Sequence, residues 1–373
     1  MRVKKSSIFF NHAILISQKN HKSIIKITSQ VVKSGKYFNG LQTKKLEQQL
    51  GLYLKNGYIT TVASGHDALS LSLSVLNLSQ DDEVIFPVNS YPTAFPVAQS
   101  GAKPVGADVD ENGQLDPRNL AEKISNKTKA VVLVHLYGLT GDVNAIRSLI
   151  KGKEIVLIED CAQAFGTSYN NQTVGTFGDI GCFSFYPTKN LATLGDGGAL
   201  WTKHKKYYEY FLKAKLYGER KRYYSLFLSG HSRIPEIQAG ILNLYFKRID
   251  GDFKKRKDVA KEYREEIERQ GLSKFVRCLI SHKNSDSAQH LFVIEVSGRE
   301  KLRNHLFFNN IETHIHYPYP IHLLPAFSHL GYKKGDFPIA ERLSSNILSI
   351  PFHQFISRND IKKIVKIIKN FYG

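Results

Sequence analysis

A single lysine, Lys189, sits among aromatic residues in 182-CFSFYPTKNLATLGDGGAL-200, with a glycine-rich run six residues later. A lysine on a loop is usually a solvated charge. An amine desolvated beside Pro187 and packed aromatics instead has a lowered pKa and can form a Schiff base with an aldehyde. Ser184 lies five residues ahead in the same apolar frame, and Gly195, Gly197 and Gly198 let the backbone pass close to a bulky ligand.

Three further clusters fall where strands meet helices or loops, the places at which open α/β sheets put their ligand sites. In 63-ASGHDAL-69, Ser64 and Gly65 end a strand and open a helix. Free N–H groups and the helix dipole make such a turn an anion site, although the same residues serve equally as an ordinary N-cap. In 157-LIEDCAQAFG-166, Asp160 ends an apolar run, with Gln163 three residues on. A buried carboxylate requires a cation or several donors, so Asp160 reads as a helix N-cap or as the partner of a protonated nitrogen. The segment 312-ETHIHYPYPIH-322 holds three histidines but also two prolines, so no regular pair at helical spacing forms. A substrate-lining loop is expected there rather than a metal site. In this order, a phosphate-ready turn, a buried Asp, a Gln, a Ser and an isolated Lys make up the set a pyridoxal-phosphate enzyme needs.

The elements that must position these groups alternate between strand and helix. Strands are expected at 58–64, 83–87, 102–110, 130–136, 154–160, 179–186 and 198–201, and helices at 67–78 and 115–124. This pattern predicts an α/β domain with a mainly parallel sheet. Residues 235–270 read as a long charged helical stretch, with Gly240 and Gly251 as possible breaks, and a smaller α+β domain follows from about 251. The last helix, at 361–371, sets Ile361, Ile364, Val365 and Ile368 on one face, as a packed surface helix does.

At 373 residues a large domain plus a smaller one is the default, and 42% hydrophobic content supports a sizeable core. Three cysteines without C-x-x-C spacing suit a reducing cytoplasm. The basic, partly apolar start is interrupted by Asn11 and His12, so it is not expected to be a signal peptide, and no apolar run is long enough to span a membrane. The net charge of +19 is uneven: residues 1–200 carry 20 basic and 16 acidic groups, residues 201–373 carry 32 and 17. That field favours anionic partners. The run 253-FKKRK-257 lacks the aromatic interleaving of a single-strand binder, so nucleic acid is not the expected partner.

With these residues in view, the chain resembles the DegT/DnrJ/StrS family of sugar-nucleotide aminotransferases from about Gly35 onward. The resemblance rests on SGHDAL, GAKPV, VHLYG, EDCAQAFG, FSFYPTKNLATLGDGG, SRIPEIQAGIL, HYPYPIHL and FPIAERLSSNILSIP in sequence. It implies the fold-type-I aminotransferase architecture. The implied domains are a large pyridoxal-phosphate domain over 41–250, a small domain over 251–373, and an N-terminal segment, 1–40, packing on the small domain. It implies a cytoplasmic homodimer with sites at the subunit interface. Lys189 then matches the Schiff-base lysine, Asp160 the partner of the pyridine nitrogen, Gln163 the neighbour of the phenolic oxygen, and Ser184 a phosphate contact. Gly65 and His66 match the phosphate turn, and Tyr91 the aromatic that stacks on the ring. Tyr186, Tyr224, His316 and Tyr317 line the sugar pocket, and His231 reaches the neighbouring subunit's cofactor phosphate.

The reaction implied is transamination from glutamate to a nucleotide-linked keto-sugar. Lys189 moves the proton, and the setting is deoxyamino-sugar and surface-polysaccharide synthesis. YYSLFLSGHSRIPEIQAGIL looks most like enzymes that aminate C3 of dTDP-keto-6-deoxy sugars, while C4 enzymes share most motifs. Lys189 argues against the sister 3-dehydratases, which use histidine there. A non-catalytic regulator on the same fold needs neither Lys189, Asp160 nor Gln163. The chain departs from its relatives at His66, where Thr or Ser is usual, and at His231, where Asn is usual. If both imidazoles approach the phosphate, cofactor affinity falls as pH rises through their titration.

Overall fold

The computed structural model describes residues 8–373, so the first seven residues of the N-terminal segment lie outside it. Seven strands form the central sheet: β1 (Tyr58–Val62), β2 (Glu83–Pro87), β3 (Lys103–Ala107), β4 (Thr128–Val134), β5 (Val156–Asp160), β6 (Ile180–Ser184) and β7 (Gly198–Thr202). Their order is β1-β7-β6-β5-β4-β2-β3. All neighbours run parallel except at β7, which is antiparallel to both β1 and β6. The C-terminal ends of β1, β2, β4, β5 and β6 therefore share one edge of the sheet.

The continuous apolar run of β4 is explained by burial on both faces. Val131 and Leu133 enter one core with Leu46, Leu50, Phe165 and Trp201, while Ala130, Val132 and Val134 enter the other with Leu69, Phe86 and Phe337. Helix α1 (Gly65–Ser74) begins at Ser64, whose hydroxyl accepts from the Asp67 N–H at 3.0 Å. It ends earlier than the apolar pattern suggests, and Val75–Asn77 turn away.

The helical stretch after Arg233 divides into α2 (Glu236–Phe246) and α3 (Ile249–Arg269). The break falls at Lys247–Arg248, at neither glycine. Gly240 instead marks close packing: a Cβ there would sit 2.5 Å from Ile27 Cγ2 of the N-terminal helix His21–Ser34. Helix α3 bridges two cores, contributing Ile249 and Phe253 to one and Val259, Ala260, Tyr263 and Ile267 to another. That second core is closed by an antiparallel sheet, Val276–Cys278, Phe292–Val296 and Ile347–Ile350, and by the C-terminal helix Arg358–Tyr372. The N-terminal segment divides between them. Ile8 bridges to Ile311 in the small domain, whereas Ile16 packs in the large domain's core and helix His21–Ser34 lies along α2. Among the described residues no helix is long and apolar enough to cross a membrane.

Candidate active site

The shared sheet edge opens into a cavity of about 440 Å³. It is lined from β1 by Ser64, Gly65 and His66, from β2 by Ser90 and Thr93, from β5 by Asp160 and Gln163, and from β6 by Ser184, Tyr186 and Lys189. His316 and Tyr317 close it from the small-domain side.

The floor is built around Asp160, which is 4% exposed. Its Oδ2 accepts from the Thr93 hydroxyl at 2.6 Å and its Oδ1 from the Ala162 N–H at 3.0 Å. Thr93 is oriented in turn by Ser90, 2.7 Å away. Glu159, one residue earlier, faces the opposite way. It accepts from the N–H groups of Gly175, Phe177 and Gly178 at 2.7–2.8 Å and meets His135 Nε2 at 3.0 Å. Alternation along the strand thus assigns one carboxylate to the architecture and the other to the cavity.

Lys189 follows β6 on a turn in which its N–H donates to the Tyr186 carbonyl at 2.8 Å. Burial pushes its amine down to about 8, against an opposing pull from Asp160. A substantial fraction of the amine is therefore neutral near physiological pH, as a nucleophile or a proton carrier requires. Gln163 is held at both ends: its Oε1 accepts from the Tyr137 N–H at 2.7 Å and its Nε2 donates to the Tyr317 hydroxyl at 3.3 Å. Burial lowers His316 to about 4, and its Nδ1 lies 2.9 Å from the Ser349 hydroxyl.

The turn after β1 approaches β6 closely. A Cβ on Gly65 would meet Ser184 Cβ at 2.6 Å, and one on Gly198 would meet the Ser64 carbonyl at 2.3 Å. The first N–H groups of α1, at Gly65 and His66, have no carbonyl one turn behind them and open beside Ser184.

Not every expected residue arrives. Tyr91 does not line the cavity, because it opens the helix Tyr91–Ala98 and its ring packs on Phe95 and Tyr317, while Thr93 turns inward instead. Tyr224 lies on the exposed hairpin formed by Glu219–Lys221 and Tyr224–Ser225. His231 is exposed, accepts at Nε2 from Arg233 Nε at 2.9 Å and tilts against Tyr217, away from this chain's cavity. His66 lines the cavity and is exposed. Among the lining residues that the sequence does not single out are Thr93, Thr188 and His290. Thr93 was findable within 89-NSYPT-93, but His290 begins an apolar strand pattern that carries no signal of chemistry.

The DegT/DnrJ/EryC1/StrS aminotransferase family model matches residues 18–369. The chain belongs to that family. Among relatives of this DegT-family chain, a dTDP-3-amino-3,6-dideoxy-alpha-D-galactopyranose transaminase of Aneurinibacillus thermoaerophilus is 36% identical, over 96% of this chain and 97% of the relative. A GDP-perosamine synthase of Vibrio cholerae is 34% identical, over 91% and 92%. The crystal structure of S. venezuelae DesV in complex with a ketimine intermediate superposes with a TM-score of 0.94 at 30% identity, covering 98% of this chain and 99% of that one. A putative sugar aminotransferase of Streptococcus pneumoniae in its PLP form gives 0.86 at 25%, covering 94% and 96%. This DegT-family protein is an aminotransferase of the fold-type-I architecture that uses pyridoxal phosphate.

The residues present fit that cofactor. A lysine amine of lowered pKa, an acceptor carboxylate, and unpaired helix N–H groups beside a serine hydroxyl all open into one cavity. When bound, pyridoxal phosphate supplies an aldehyde carbon and a ring that accepts electrons.

Proposed function

We propose that this aminotransferase converts a nucleotide-linked keto-deoxysugar, best read as a dTDP-3-keto-6-deoxyhexose, into its 3-amino form, with glutamate as amino donor. The observation that carries the reading is the Lys189 amine, lowered to about 8 and facing Asp160 in a single cavity. With pyridoxal phosphate bound, Lys189 would hold it through its amine and would carry the proton between the donor's alpha carbon and the cofactor. Asp160, fixed by Thr93 and Ala162, keeps the ring nitrogen protonated. Gln163 meets the phenolic oxygen, and Ser184 with the Gly65–His66 N–H groups holds the phosphate. Tyr186, His316 and Tyr317 face the sugar, and the basic C-terminal half draws the anionic nucleotide toward them. The enzyme acts as a homodimer in the cytoplasm, with Tyr224 and His231 serving the neighbouring subunit's site.

Two findings support amination at C3: the YYSLFLSGHSRIPEIQAGIL segment, with Tyr223 and Tyr224, and the relative named for a dTDP-3-amino sugar. Amination at C4 is the second reading, favoured by the nearly equal identity to a GDP-perosamine synthase. Incubating the purified enzyme with glutamate and a panel of nucleotide 3-keto and 4-keto sugars, with NMR of the products, separates them. Nitrogen at C3 is expected; nitrogen at C4 alone would reverse the assignment, and no amination of any member would remove the substrate class.

A further inference from the structure

A second cavity, of about 230 Å³, adjoins the first and shares Tyr186, Thr188, His290 and His316 with it. Part of its wall is apolar, from Phe10, Leu291 and Phe352. Another part is Arg256, which is 1% exposed. Arg256 Nη1 donates to the carbonyls of Gln289 and His290 at 3.2 and 3.4 Å, and Nη2 donates to His12 Nδ1 at 2.9 Å. Among the described residues no carboxylate lies within ion-pair distance of this guanidinium. Asp252, whose charge it feels, is paired with Arg248 at 3.4 Å. A fully buried cation without a counter-ion is costly.

The cavity's other polar groups compound that cost. Burial holds His12 and His290 well below the ordinary histidine range, so both are neutral and each carries one N–H. Arg256 Nε and His290 Nδ1 are buried without a hydrogen-bond partner, whereas the His12 ring also bonds to the Lys189 backbone. Buried polar atoms are rarely left in this state, and these two belong to residues that line one small cavity. A guanidinium edge suits a planar carboxylate, and the Phe10 and Phe352 rings suit a short methylene chain. The space is too small for a nucleoside diphosphate, since pockets for larger ligands start at roughly 300 Å³.

We infer that this side cavity receives the distal carboxylate of an acidic amino donor while the donor's amino group lies in the Lys189 cavity. The inference rests on the aminotransfer reading for its occupant, and it makes Arg256, His12 and His290 the residues that select a dicarboxylic donor over a neutral one. A carboxylate on the sugar itself is the other source of the same chemistry.

Calorimetric titration of the cofactor-free full-length protein with glutarate tests the receptor without catalysis. Wild type is expected to bind, Arg256→Met to lose roughly tenfold or more, and Arg256→Lys to recover part of it. In the cofactor-loaded enzyme, the kcat/KM ratio of glutamate over glutamine should fall by the same factor in Arg256→Met, with little change in KM for the nucleotide sugar. Should Arg256→Met fail to fold, His12→Phe, which removes the ring that accepts from Arg256, is read in the same way. An unchanged glutamate-to-glutamine ratio in folded variants overturns the proposal, as does a shift confined to the sugar's KM, which assigns the carboxylate to the sugar. Loss of the ratio together with no amination of any keto-sugar sinks the sugar reading and leaves the donor site standing.

Discussion

At the residue scale, the proposed chemistry depends on a lysine whose environment disfavours its own charge. Burial lowers the Lys189 amine from 10.5 to about 8. Between those values the unfolded chain holds the proton more readily than the folded one, so stability from this group rises with pH across that window. Below about pH 8 the full penalty is present. Lys189→Met is therefore expected to stabilise the cofactor-free protein by roughly 1–3 kcal/mol at pH 7, and by much less near pH 10. Thermal unfolding at both values checks this, and an equal gain at the two pH values would contradict it. That Lys189, Asp160 and Gln163 meet in one cavity was legible in the sequence because they stand at or just beyond the ends of β5 and β6. The division of labour between Glu159 and Asp160 was not. It follows from the N–H groups of Gly175, Phe177 and Gly178, which fold back onto Glu159 from 16 to 19 residues away.

At the element scale, the site is a set of strand ends held at close quarters. Gly65 is the point at which the β1 turn and β6 come together, because any Cβ there meets Ser184. Gly65→Ala is expected to displace the turn and weaken cofactor binding roughly tenfold, the scale of an overpacked contact. Fluorescence titration with pyridoxal phosphate measures this directly; affinity within twofold of wild type would argue that the turn does not hold the phosphate. Strand positions were readable to within two or three residues, the largest error falling at the end of β3, expected at 110 and found at Ala107. The division between α2 and α3 was not, because the two glycines looked like breaks while Lys247 and Arg248 gave no signal. Long-range caps were equally hidden. The carboxylate of Glu236 accepts from the N–H groups of Gly40, Gln42 and Thr43 at 2.8–2.9 Å, tying the start of helix Leu41–Leu54 to a residue almost 200 positions away.

At the scale of the whole molecule, two features point outward from the single chain. Tyr223, Tyr224, Leu226 and Leu228 form an exposed apolar stretch, with Leu228 fully open to solvent. Such a patch on an otherwise basic surface fits an interface, and it carries Tyr224, an expected site residue that does not reach this chain's own cavity. Leu228→Asp is expected to shift the proposed homodimer toward monomer and to lower activity at dilute enzyme. Sedimentation velocity reads the change, and an unaltered dimer would place the interface elsewhere. The most direct test of the account as a whole is borohydride reduction of the cofactor-loaded enzyme, followed by peptide mass spectrometry. The account predicts the cofactor fixed to Lys189, and labelling suppressed when L-glutamate is added first. Attachment to any other lysine, or labelling that glutamate leaves untouched, would contradict it.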